Sequence, residues 1–312
     1  MKRILVIRGG AIGDFILTLP AIGLLRNRHP ASHLEILGYK HITALAEKRF
    51  YADATRSIEY SELARFFAKG ADLPEHLATY FGSFDLIVSY LFDPDLIFEN
   101  NLRRCGKFTF IVGPARPSSP GIHAALQLAR PMETLGLTLS DPAAHLHPSP
   151  ADREFADAFF RDEPHRSVAI HPGSGGATKN WAATNWTSLG ERILASDKAI
   201  RLLILTGEAE CDTRIGLGKT FGARARHVAN LPLPQLAAVV ERCAIFLGHD
   251  SGISHLAAAV GRPCLLLFGP TDPEIWAPKN PGVRTLRAAD GRLDSIAPGD
   301  VFYELMRIGI ST

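Results

Sequence analysis

A carboxylate at the entrance to a helix can accept a proton from a substrate hydroxyl. Asp14 stands at such a place, in the stretch RGGAIGDF from Arg8 to Phe15. Three glycines share the turn with it, where an apolar run gives way to a helical pattern. Glycines let backbone and ligand approach where a Cβ would stand. The carboxylate suits a general base or a plain helix cap, and the local sequence alone favours the cap.

A second chemical stretch is HPGSGGATKNW, His171 to Trp181, between the apolar run SVAI and a helical pattern. Backbone N–H groups in a glycine-rich turn converge on anions, and the following helix N-terminus adds partial positive charge. Ser174 and Thr178 add hydroxyls, Lys179 adds a cation, and Gly175 lies between them. The set suits a diphosphate, although it matches neither GxxxxGK[ST] nor GxGxxG.

LGHDSGISHLAAAVG repeats the strand-to-helix turn and puts Asp250, Ser251 and Gly252 where the first helical N–H groups lack partners. They serve as caps or hold a second phosphate or sugar hydroxyls. His249 falls on the turn and His255 on the helix with no further ligands nearby, so no metal is expected. LLLFGPTDPEIWAP adds a turn cluster, Gly269 to Pro273. LTGEAEC adds Glu208 and Glu210, either able to hold a ribose hydroxyl or to favour the first turn of a helix. Each loop is weak singly; four in order at the strand ends of one domain are not.

These loops need strands to carry them. RILVI, HLEIL, FDLIVSYL and KFTFIVG read as strands in the first half, and RSVAIHPG, IRLLILTG, CAIFLG and RPCLLLFG in the second, with helical patterns between. Strands apolar throughout belong to parallel sheets covered on both faces, joined by right-handed crossovers. The Pro-, Ser- and Asp-rich stretch near residues 138–150 reads as a linker between domains at 1–145 and 146–312. Ligands of such sheets bind at the carboxyl ends of the strands, which places a cleft between two facing domains. PGDVFYELMRI reads as a final helix with a place on the first domain.

Bulk properties agree with this division. A chain of 312 residues suits two domains. No apolar run is long enough to span a bilayer, and MKRILVI reads as a strand rather than a signal peptide. Cys105, Cys211, Cys243 and Cys264 form no CxxC pair, which points to reduced thiols in a cytoplasmic setting. A net charge of +2 gives no reason to expect nucleic-acid binding. Between Glu99 and Glu133 there is no acid, but Arg103, Arg104, Lys107, Arg116 and Arg130 all occur. That stretch is a solvated basic surface, or a face for an anionic acceptor or membrane phosphates.

Three stretches, ILVIRGGAIGDFILTLPAIGLLRNRHP, IHPGSGGATKNW and FLGHDSGISHLAAAVGRPCLLLFGPTDPEIWAP, together resemble the heptosyltransferases of lipopolysaccharide synthesis, glycosyltransferase family nine. HAALQLARPMETLGL is similar to the family helix that ends the first domain. The resemblance implies the α/β GT-B fold: two facing Rossmann-like, doubly wound parallel-sheet domains, the first for acceptor and the second for nucleotide sugar. It implies inverting transfer of heptose from ADP-heptose to a sugar hydroxyl of lipopolysaccharide or a related glycolipid, with no cofactor and no metal. It also implies work at the cytoplasmic face of the inner membrane, with peripheral contact there.

Carried over by residue, Asp14 becomes the base, Ser174 and Lys179 grip the diphosphate, and Asp250, Ser251 and Gly252 form the heptose and phosphate turn. Lys179 also meets leaving-group charge. The donor-binding candidates are then Gly13, Ser174, Gly175, Thr178, Lys179, Glu208, Asp250, Ser251, Gly252 and His255. GGAI replaces the family's Ser-rich loop, and FDPDLIFENN replaces a stretch ending in Arg–Ser. The acceptor is therefore open. The alternatives are another nucleotide sugar, a non-catalytic nucleotide-sugar binder, and a nucleotide-sugar epimerase.

Overall fold

Ile4, Leu5, Val6 and Ile7 are completely buried, which requires that β1 (Arg3–Arg8) have neighbours on both sides and cover on both faces. In the computed structural model, which describes residues 2–161, 166–207 and 220–309, it lies at the centre of a five-stranded sheet. The order is β3 (Ala54–Ser57), β2 (His33–Gly38), β1, β4 (Leu86–Ser89) and β5 (Thr109–Val112), every pair parallel. Register aligns Arg8 with Gly38, and Ile7 with Ser89. The carboxyl ends of β1 and its neighbours therefore form one edge. The helix Ile12–Arg28 returns from that edge and buries Phe15, Ile16, Leu19, Ile22 and Leu25.

The chain divides into two compact units, Met1–Pro142 and Ala143–Thr312. The second has its own parallel sheet of six strands. β6 (Arg166–Ile170) and β9 (Ile245–His249) are central, flanked by β7 (Ile200–Thr206) and β8 (Ala225–Ala229) on one side and by β10 (Cys264–Phe268) and β11 (Val283–Arg287) on the other. Its core gathers Val168, Ile170, Leu202, Leu247 and Leu265 with Trp181 and Trp186, whose rings meet edge-on at 5.1 Å.

The structure adds to the sequence reading at three places. β3, β8 and β11 are absent from the sequence reading because each is an edge strand, half exposed and without a continuous apolar run. The last helix, Pro298–Ile308, carries Val301 and Leu305 four residues apart into the core of the second unit. The basic stretch is divided. Arg103 closes the helix Ile97–Arg103, and Arg104 and Lys107 lie between it and the start of β5, at the edge opposite the carboxyl ends, while Arg116 follows the end of β5. Arg103 is also paired with Glu99 at 2.6 Å.

The irregular segment before Pro150 is fastened to the second unit. Asn280 Nδ2 donates to the Ala144 carbonyl at 2.7 Å, and Leu146 N–H donates to the Ala259 carbonyl at 2.8 Å. Cys264 is a buried free thiol, pushed upward by that burial, and Cys243 is a buried thiol whose Sγ donates to the Val239 carbonyl. Cys105 is half-buried and also free; Cys211 lies outside the described residues.

Candidate functional site

In the first unit the site is a single turn. Ala11, with an extended backbone, is the N-cap of the helix Ile12–Arg28, and Asp14 is its third residue. Asp14 Oδ2 accepts the Ala11 N–H at 3.0 Å, so the carboxylate reaches back to the cap instead of occupying it. Its side chain remains 33 % exposed. Gly10 has φ +95°, and a Cβ there would stand 2.8 Å from Asp14 Oδ2. Gly10→Ala thus meets a left-handed backbone cost of about 1–2 kcal/mol and displaces the carboxylate. The expected result is an unfolding midpoint lower by roughly 3–8 °C in a thermal melt.

Beneath the turn lies Arg8, only 3 % exposed. Its Nη2 is 3.6 Å from Asp14 Oδ1, and its Nη1 donates to the Ala115 carbonyl at 2.8 Å. Burial lowers the pKa of Arg8, and the nearby Asp14 opposes that shift. Gly13 adjoins Asp14 in the first turn. The loop after β4 is held by Asp93, whose carboxylate accepts the N–H groups of Phe98 (3.1 Å) and Glu99 (2.9 Å). Leu96 adopts φ +57° there, and Phe92 projects into solvent, 79 % exposed.

In the second unit, two neighbouring strands present the donor candidates. The loop after β6 turns back on itself through Ser174, whose Oγ lies 2.9 Å from both the Gly176 carbonyl and Asn180 Oδ1. Gly175 and Thr178 are exposed on it, and a Cβ on Gly175 would meet nothing. Lys179 closes the short helical turn Ala177–Lys179. Its ammonium donates to Asp250 Oδ2 at 2.5 Å, which ties the loop after β6 to the loop after β9.

The same two loops are joined below by His249, fully buried, whose Nε2 accepts the Trp181 N–H at 3.0 Å. Ser251 caps the helix Gly252–Ala259, its Oγ accepting the Ser254 N–H at 3.3 Å. It also sits 3.4 Å from His171 Nδ1. Gly252 opens the helix. His255 is buried at 5 % exposure and packs inside the unit rather than lining the loop surface.

The structure therefore joins Lys179 to Asp250 and places Ser174, Ser251 and Gly252 on the two loops so linked. Glu208 and Glu210 lie outside the described residues. Asn180, His171 and Arg8 were not singled out in the sequence as site residues, and His249 was weighed there only as a metal ligand. Arg8 alone left a trace, as a charge ending an otherwise apolar run. Among the described residues no group of three or more His, Cys, Asp or Glu could hold a metal ion. No described helix is long and apolar enough to cross a membrane.

The description of glycosyltransferase family 9 (heptosyltransferase) matches residues 112–298, well over half the chain. The chain belongs to that family. Among curated proteins, it is similar to lipooligosaccharide heptosyltransferase 2 of Haemophilus influenzae, 28 % identical over 141 residues. That stretch spans 43 % of this chain and 40 % of the relative, so less than half of either protein is matched.

Solved structures are similar along the whole length, among them a family 9 glycosyltransferase. One from Veillonella parvula gives a TM-score of 0.82 at 17 % identity, covering 100 % of this chain and 98 % of the other. The Escherichia coli ADP-heptose lipopolysaccharide heptosyltransferase II gives 0.77 at 17 % identity, covering 99 % and 98 %. At that identity the likeness is one of fold: two parallel-sheet α/β units, the GT-B architecture expected from the sequence.

Proposed function

We propose that this chain is an inverting glycosyltransferase that moves a heptosyl group from ADP-heptose to a sugar hydroxyl of lipopolysaccharide core or a related glycan. The observation that carries the reading is the linkage of Lys179 to Asp250 across the two glycine-bearing loops of the second unit, in a chain of this family. An ammonium has three donors. The bond to Asp250 fixes the head of Lys179 and leaves donors for a diphosphate. Backbone N–H groups of the same glycine-bearing loop add to that field in this reading.

In the proposed reaction the acceptor oxygen attacks the anomeric carbon as the bond to ADP breaks. Asp14 takes the hydroxyl proton, and Lys179 with the loop N–H groups stabilises charge on the departing diphosphate. Gly13, Ser174, Gly175, Thr178, Ser251 and Gly252 shape the donor-side surface in this reading. Glu208 is proposed for a ribose hydroxyl, and His255 supports the donor turn from inside the unit. No metal or cofactor enters the proposal. Its setting is the cytoplasmic side of the inner membrane, where peripheral contact comes through the glycolipid acceptor.

Calorimetric and thermal-shift titration with ADP, UDP, GDP and ADP-heptose tests the donor. A ligand that binds only the folded chain stabilises it by about 2.7 kcal/mol at a hundred times its Kd. ADP and ADP-heptose are expected to raise the midpoint most. Tighter binding of UDP or GDP overturns the heptosyl assignment, and no binding by any of them overturns the enzymatic one.

One observation favours a second reading of the acceptor side. The loop after β4 is a fixed turn that displays Phe92 beside Asp93 and Asp95, where the family resemblance leads one to expect Gln or Asn and an Arg–Ser ending. An acceptor other than the usual inner-core sugar fits that surface.

A further inference from the structure

Arg8 ends a strand whose four preceding residues are entirely apolar and buried. An aliphatic side chain would continue that pattern without removing a charge from water, which costs several kcal/mol per ion unless it is paired. The contacts of Arg8 are specific. Nε and Nη2 donate to the main-chain carbonyl of Asp14 at 3.4 and 3.3 Å, and Thr18 Oγ1 donates to that same oxygen at 2.7 Å.

From the other side of the guanidinium, Nη1 reaches the Ala115 carbonyl, and the cation stands 5.7 Å from the centroid of the buried Tyr90 ring. Ala115 belongs to the segment after β5, which is fastened in turn by the buried Gln127. That side chain accepts the N–H groups of Ser118 (2.9 Å) and Ser119 (2.8 Å), and donates to the carbonyls of Ser119 (2.9 Å) and Ile122 (2.7 Å). Holding a helix entrance needs none of this, because the Ala11 N–H is already satisfied by Asp14 itself.

We propose that Arg8 is a positioning residue for Asp14, one guanidinium holding the carboxylate-bearing turn and the segment after β5 at a fixed separation. The inference rests on the reading of Asp14 as general base. A displacement of about 1 Å at a reacting group costs on the order of a hundredfold in rate, so a clamp on its main chain has a kinetic consequence. Lysine keeps the charge but loses the planar fork that reaches Asp14 and Ala115 together.

The test is transfer from ADP-heptose by the full chain as wild type, Arg8→Lys and Arg8→Met, each also combined with Asp14→Asn. ADP affinity and unfolding midpoint are measured on the same samples. Arg8→Lys is expected to lower kcat at least tenfold while KM for donor and ADP affinity stay within twofold. The loss should vanish in the Asp14→Asn background, because groups that act through one another are non-additive.

An unchanged kcat in folded Arg8→Lys overturns the inference alone. So does an equal loss in both backgrounds, the behaviour of a merely structural residue. A wild type without turnover overturns the general-base reading and the inference with it. If Arg8→Met does not fold, Arg8→Lys, which keeps charge and stem, decides the matter.

Discussion

Asp14→Asn is expected to fold like the parent protein and to lose transfer by about 10²- to 10⁴-fold, the usual contribution of a general base. Asparagine has the same shape, and its carbonyl oxygen can still accept the Ala11 N–H that Asp14 Oδ2 accepts at 3.0 Å. The helix entrance therefore keeps its bond while proton acceptance is lost. Asp14→Ala removes both, adding a stability cost of about 1 kcal/mol for the lost terminal bond. Initial rates and thermal melts on the pair separate the two roles. Asn at near wild-type rate, with Ala merely less stable, returns Asp14 to being part of the helix terminus.

Lys179→Ala is expected to weaken ADP binding by about ten- to a hundredfold. A hydrogen bond to a charged group contributes about 1.5–3 kcal/mol, and each 1.4 kcal/mol is about tenfold in affinity. A further effect follows from the 2.5 Å contact. Without the ammonium, Asp250, whose side chain is 11 % exposed, becomes an unpaired anion facing the place proposed for a diphosphate. Lys179→Ala with Asp250→Asn should therefore bind ADP better than Lys179→Ala alone. Calorimetry on the two variants reads this directly. Wild-type affinity in Lys179→Ala would remove the lysine from the donor site.

The legibility of this fold follows burial. Central strands such as β1, β9 and β10 are apolar on both faces and stand out as unbroken runs. Loops that join a parallel strand to a helix need glycine and small polar residues, so His171–Trp181 and the turn at Asp250 were visible as chemistry. Hidden were the bonds that fix those loops. Trp181 reaches His249 across 68 positions, Lys179 reaches Asp250 across 71, and Arg8 reaches Ala115 across 107. No local spacing encodes such pairs, because register between distant strands creates them. His255 illustrates the converse: a residue type suited to ligands, set one turn into a helix, is turned inward by packing.

Edge strands carry a separate meaning. A sheet that ends in exposed backbone N–H and C=O groups offers a template on which another chain can add a strand and begin to aggregate. β3 places Arg56 on its edge, β8 places Arg226, and β11 places Arg284 and Arg287. Arg56, Arg284 and Arg287 are each about half exposed, their side chains at 44, 48 and 53 %. A neighbouring chain would have to bring its backbone against these cations and strip their water. The charges that break the apolar pattern and conceal the three strands in the sequence also guard those edges against growth.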